Sequence, residues 1–147
     1  MESSDQDFII DRIPHRPPFL WLDRILELGD KSIRAEKTIP ADLDIFKGHY
    51  PEYPLMPGVL LCEAVFQAGA LLIGELLKDK QETRGVPVLT RIIGAKFKRE
   101  VRPGDTIEIR AALKEQLGPA WFLKGSVRVD GKVVVQVEFA CALKAEA

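Results

Sequence analysis

Only two cysteines occur in 147 residues, no charge sign dominates, and no tract of low complexity, repeat or linker breaks the chain. Each absence excludes something. Cys62 and Cys141 are too few for a disulfide framework and lack the paired spacing of a metal site. Both are expected as small buried thiols in a reducing compartment. The 21 basic and 22 acidic side chains leave a net charge of −1, without the basic excess of a nucleic-acid-binding protein. Met1 to Asp7 is polar and acidic, so no secretory signal is expected there. One undivided domain over residues 1–147, soluble and cytoplasmic, is the expectation, and this length supports a sizeable core.

What is present concentrates in Gly48 to Gln67. Pro51, Pro54 and Pro57 stand three apart, a spacing that forbids helix and stiffens the backbone. From Val59 the sequence turns apolar on nearly every side, as in a buried helix. Glu63 and Gln67 interrupt it four residues apart, hence on one face, which Ala70 and Gly74 continue. A carboxylate inside a core helix is costly unless paired or used. The run is about long enough to cross a membrane, but Glu63, Gln67 and Glu75 favour a core helix. Gly58 opens it, where a helix start offers free N–H groups and partial positive charge, and the absent side chain permits close approach. A histidine on a stiff loop, a helix carboxylate and an N–H donor together make an acid–base site with an oxyanion hole.

Around this stretch, residues 4–13 are expected as a short helix stopped by Pro14. Phe19 to Leu28 and Ser32 to Ile39 read as strands joined by a turn at Gly29-Asp30. Residues 40–47 are turn-rich, and their two aspartates, Asp42 and Asp44, lack the further ligands a metal needs. After a charged connector from Lys78 to Gly85 come four strand-like runs: Val86 to Glu100, Asp105 to Leu117, Ala120 to Val129 and Lys132 to Lys144. Pro103-Gly104-Asp105 separates the first two, and Asp130-Gly131 is a two-residue hairpin signal between the last two. Runs this long are expected to twist and wrap. His15, between Pro14 and Pro17, is expected to be a fixed packing or hydrogen-bonding residue. Asp23 and Arg24 are expected as a structural charge pair or dimer contact. The sum is an α+β domain with an antiparallel β-sheet wrapping one long helix.

The 48–67 segment resembles the active-site segment of the FabZ-type (3R)-hydroxyacyl-[acyl-carrier-protein] dehydratases. Their Gly-His-Phe-Pro, Pro, Met-Pro-Gly-Val, Glu-Ala and Gln are matched by Gly48-His49, Pro51, Pro54, Met56-Pro57-Gly58-Val59, Glu63-Ala64 and Gln67. Tyr50 replaces the Phe, and Glu52 stands where the family usually has Gly. Pro14-His15-Arg16, Phe19-Leu20, Asp23-Arg24, Lys96-Phe97-Lys98 and Asp130-Gly131 extend the resemblance over essentially the whole chain, mainly as fold signals. It implies the hotdog fold, a homo-oligomer (dimer or trimer of dimers), and a hydro-lyase that forms trans-2-enoyl thioesters in fatty-acid biosynthesis. It implies His49 and Glu63 as the catalytic pair, drawn from different subunits, with Gly58 binding the substrate carbonyl. Gln67 supports Glu63, and Pro57 and Val59 flank the glycine. The chemistry agrees: a neutral imidazole suits removal of the α-proton, and burial favours the protonated carboxyl needed to expel the β-hydroxyl as water.

The related dehydratase–isomerase type carries Asp in the helix and Cys after Met-Pro-Gly, where this chain has Glu63 and Val59. A hotdog thioesterase and a non-catalytic acyl-binding module are the alternatives. The His49 loop argues against the first and the intact pair against the second. No cofactor or metal is expected. The expected partner is an acidic acyl carrier protein bearing the substrate, docking on Lys96, Lys98, Arg99 and Arg102. No nucleic-acid or membrane partner is expected.

Overall fold

A computed structural model describes residues 2–78 and 85–144. Its elements run α1 (Glu2–Arg12), β1 (Arg24–Leu28), β2 (Ser32–Thr38), α2 (Ile45–Gly48), α3 (Gly58–Leu77), β3 (Val86–Phe97), β4 (Thr106–Leu117), β5 (Ala120–Val129) and β6 (Lys132–Lys144). The six strands form one antiparallel sheet in the order β1-β2-β4-β5-β6-β3. The expected connector from Lys78 to Gly85 falls largely on residues 79–84, outside the described ones.

The α3 helix is the core. It is apolar enough and long enough to cross a membrane, yet 61% of its most apolar window is buried inside the protein. Leu71, Leu72 and Ile73 are fully buried, each stabilising the fold by roughly 1.5–3 kcal/mol. Alternate residues of the sheet meet it: Ile33 and Ala35 from β2, Ile107, Ile109 and Ala111 from β4, Val137, Phe139 and Cys141 from β6. Register shifts at Leu89/Arg91 and Ile92/Gly94 of β3, and at Leu113/Glu115 of β4, add local twist. Such shifts let long strands curve around a helix, which is the hotdog arrangement. Asp130 (φ 51) and Gly131 (φ 77) both take the left-handed conformation of a tight two-residue turn.

Four expectations change. The chain from Phe19 to Asp23 is not strand; β1 begins at Arg24. Much of its backbone is bonded to side chains instead: the Trp21 N–H donates to Gln67 Oε1, the Phe19 carbonyl accepts from Gln67 Nε2, and the Leu22 and Asp23 carbonyls accept from Gln6 Nε2. The turn-rich 40–47 segment ends in the short α2 helix, which runs on to Gly48. The β3 strand ends at Phe97 rather than Glu100, because the Lys98 and Arg99 N–H groups converge on one carbonyl, that of Val134. Asp23 and Arg24 pair apart from one another: Asp23 with Lys37 and the Thr38 N–H, Arg24 with Glu36.

β3 closes one end of the sheet and pairs only with β6. Along it Leu89, Ile92, Ile93 and Phe97 are exposed. A twelve-residue apolar edge is an open template for another strand.

Candidate active site

His49 caps the C-terminus of α2, its N–H donating to the Ile45 carbonyl at 2.9 Å. The chain then turns sharply at Tyr50, which sits at φ 57, an uncommon conformation for a residue with a side chain. The Tyr53 N–H closes that turn onto the Tyr50 carbonyl at 2.8 Å. Two anchors hold the rest of the loop. Met56 is buried and donates its N–H to the Val101 carbonyl at 2.8 Å. The Tyr53 hydroxyl donates to Glu100 at 2.6 Å and accepts from Arg102 at 2.7 Å, with that guanidinium 4.7 Å from the ring centre.

The loop fixes the His49 ring. Nδ1 lies 2.9 Å from the Leu55 carbonyl oxygen. A carbonyl only accepts, so Nδ1 carries the proton and Nε2 keeps a lone pair. The ring also packs on Tyr50 at a centroid distance of 4.3 Å.

Pro57 caps α3 and accepts from the Leu60 and Leu61 N–H groups at 3.0 and 3.2 Å. The Gly58 N–H donates to none of the described residues, as expected for the first turn of a helix. Glycine here answers a packing demand too: a Cβ would stand 2.8 Å from two ring carbons of Phe97. Val59 is 71% exposed at the helix start.

Glu63 was expected to be buried, but its side chain is 22% exposed. It faces the loop that follows α1. Gln67, one turn deeper and fully buried, uses all its polar atoms. Its Oε1 accepts from Trp21 N–H at 2.8 Å, and its Nε2 donates to the Phe19 carbonyl at 2.8 Å and to Glu63 Oε2 at 3.1 Å. The buried amide thus costs little and ties Glu63 to the N-terminal loop.

One chain does not join the expected pair. His49 is held by Leu55, while the imidazole beside Glu63 is that of His15, with Nε2 3.5 Å from Glu63 Oε2. Burial lowers the His15 ionisation below its ordinary value, with Glu63 opposing and Arg16 adding to the shift. The Pro14-His15-Arg16-Pro17-Pro18 string was the only sequence sign of this contact. The Tyr53–Glu100–Arg102 cluster and the Phe97 ring over Gly58 had none. Of the expected docking residues, Lys96, Lys98 and Arg99 are exposed, and Arg102 is engaged with Tyr53 and Glu100. Lys98 lies beyond the end of β3, so it shares no strand face with Lys96.

A family model described as a FabA-like domain matches residues 13–138. The 3-hydroxyacyl-[acyl-carrier-protein] dehydratase FabZ of Anaeromyxobacter dehalogenans (strain 2CP-C) is 40% identical over 149 residues, covering 97% of this chain and 96% of the relative. The protein of the same name from Petrotoga mobilis is 40% identical over 136 residues, covering 92% and 95%. Among solved structures, the dehydratase heterocomplex ApeI:P from Xenorhabdus doucetiae superposes with a TM-score of 0.77 at 17% identity, over 94% of this chain and 91% of that one. The uncharacterised protein PH1136 from Pyrococcus horikoshii does so at 0.66 and 17%, over 92% of each. The structural likenesses speak for the fold.

Proposed function

The chain belongs to the FabA-like family and, within it, to the FabZ-type 3-hydroxyacyl-[acyl-carrier-protein] dehydratases, and on that premise we propose how its own residues carry out the reaction. The enzyme is a hydro-lyase of fatty-acid biosynthesis that removes water from a 3-hydroxyacyl thioester on acyl carrier protein. Its product is the trans-2-enoyl thioester, from the (3R) substrate, made in the cytoplasm by one hotdog domain spanning the chain.

His49 is the base. The observation that carries this reading is the tie of Nδ1 to the Leu55 carbonyl, which leaves Nε2 to take the α-proton. Charge then builds on the thioester oxygen, where the free Gly58 N–H at the start of α3 stabilises it. Pro57 and Val59 set the helix start around that donor. Glu63 gives its proton to the β-hydroxyl, which leaves as water, while the α,β double bond forms. Gln67 supports Glu63 through the bond it donates. The two protons reset through solvent between turnovers.

Because His49 and Glu63 of one chain do not meet, the working site is shared. A second copy adding its β3 to the open β3 edge is a two-fold, self-complementary contact. It would cover the exposed Leu89, Ile92 and Ile93 and bring His49 of one copy to Glu63 of the other. The dimer, alone or grouped in threes, is the active form. The acyl carrier protein, small and acidic, docks on Lys96, Lys98, Arg99 and Arg102. Of these, Lys98 and Arg99 carry most of the attraction, since Arg102 is already engaged.

The test is absorbance of the enoyl chromophore when purified protein meets a crotonyl thioester, which reports the reverse hydration. Loss in the wild type, absence in H49A and in E63Q, and recovery on mixing the two variants are expected. Release of free thiol instead would mark a thioesterase. For docking, reversing Lys98 and Arg99 to Glu should raise KM for carrier-bound substrate several-fold at low salt and leave a pantetheine thioester unchanged, since rim charges act on association. Equal loss on both substrates would make the cluster structural.

A further inference from the structure

Glu63 is approached from two sides, and both approaches end on the same oxygen. Gln67 Nε2 donates to Oε2 at 3.1 Å, and His15 Nε2 stands 3.5 Å from that atom. Among the described residues, no hydrogen bond reaches Oε1. The His15 ring itself has a defined choice of tautomer. Its Nδ1 is buried without a hydrogen-bond partner among the described residues. A buried N–H left unpaired is rarer and costlier than an unpaired acceptor, so the proton belongs on Nε2, facing Glu63. Burial keeps the ring neutral, against the opposing pull of Glu63 and in line with the nearby Arg16.

The loop that presents His15 is held independently of the ring. The Arg16 guanidinium donates to the carbonyls of Ile13 (2.8 Å), His15 (2.7 Å) and Ile10 (3.0 Å), gathering the end of α1. The Phe19 N–H returns to the Arg16 carbonyl at 2.8 Å. Gln67 then fastens the same loop at Phe19 and Trp21. His15 and Gln67 are therefore two arms of one brace with Glu63 between them.

We propose that His15 is a positioning residue for Glu63: its Nε2–H and the Gln67 amide both donate to Oε2, so the proton that Glu63 gives the leaving hydroxyl is carried on Oε1. A carboxyl oxygen already accepting two N–H bonds has no room for its own proton, and the other oxygen must hold it. The 3.5 Å gap exceeds a formed hydrogen bond and closes by a few tenths of an ångström when substrate fills the site, as catalytic bonds commonly tighten on binding. The inference rests on the reading of Glu63 as the acid.

Two measurements test it. Long-range proton–nitrogen correlation on the wild-type protein at neutral pH should show His15 with its proton on Nε2; a proton on Nδ1 overturns the proposal whatever the variants do. The second compares H15Q with H15M, side chains of equal length of which only Gln offers an N–H. With a small thioester substrate, H15M should lose roughly tenfold in kcat, as for one hydrogen bond. H15Q should stay several-fold above it, with KM alike in both. Equal kcat in the two variants, high or low, makes His15 a packing residue and overturns the proposal. E63Q separates this failure from failure of the acid reading. Near-normal turnover in E63Q removes Glu63 as the acid and this inference with it. A dead E63Q beside indistinguishable H15M and H15Q removes this inference alone.

Discussion

The two histidines sit on loops of similar build and are put to opposite use. Each follows a short helix and each is stiffened by prolines, Pro51, Pro54 and Pro57 in one case, Pro14, Pro17 and Pro18 in the other. Around His49 the protein occupies Nδ1 with the Leu55 carbonyl, and no described residue takes Nε2. Around His15, among the described residues, it leaves Nδ1 without a partner and turns Nε2 to a carboxyl group. The first arrangement makes an acceptor of protons and the second a donor of a hydrogen bond. Residue type alone does not assign the role of an imidazole; the partner that each ring nitrogen meets does.

The contrast is broken most directly at His49. H49A should lower kcat by a factor of about 10² to 10⁴ and leave the melting temperature near wild type, since the ring lies on a surface loop beside the exposed Tyr50. A kcat within tenfold of wild type would remove His49 as the base. The brace behind His15 comes next. Q67A strips partners from the Trp21 N–H and the Phe19 carbonyl, and should cost about 1–3 kcal/mol of stability, read from urea unfolding. An unshifted urea midpoint would mean that the loop after α1 is held by Arg16 and Gln6 without Gln67.

The His49 loop has no buried brace of that kind; its polar anchor is the exposed Tyr53–Glu100–Arg102 cluster. Tyr53→Phe should therefore leave the urea midpoint near wild type but lower kcat a few-fold, because the loop carries the base. Unaltered kinetics would assign loop placement to Met56. The smallest effect is on pH dependence. His15 ionises below its ordinary value of 6.5 in the folded protein, chiefly through burial, so the unfolded chain takes up the proton first as pH falls. Its contribution to stability is whole above about 6.5 and is lost from there down to the lowered folded value. The melting-temperature difference between wild type and H15Q should shrink over that window. A constant difference would place the His15 ring in contact with water.

Much of this could be read along the chain because the signals are local. The start of α3 at Gly58 follows from Pro57 and the apolar run, and the Asp130-Gly131 hairpin follows from two adjacent residues that accept the left-handed conformation. The strands after residue 100 matched to within a residue, since turns of two or three residues bound them. The pairing of Glu63 with Gln67 was legible from a spacing of four on a helix.

Elsewhere the decision lay with residues far apart in sequence. The chain from Phe19 to Asp23 has the composition of a strand, but Gln67, more than forty residues on, takes the Phe19 carbonyl and the Trp21 N–H. Glycine at 58 is also demanded by packing that the sequence did not show, since the Phe97 ring fills the space a side chain there would take. His15 and Glu63 are 48 residues apart, and their meeting depends on how α1 and its loop dock against α3. By itself the sequence determined where the helix and turns form and which residue types the site contains. Only the tertiary structure decided which ring nitrogen each histidine offers and which carboxyl oxygen stays free, because hydrogen-bond partners are chosen by packing, not by neighbours along the chain.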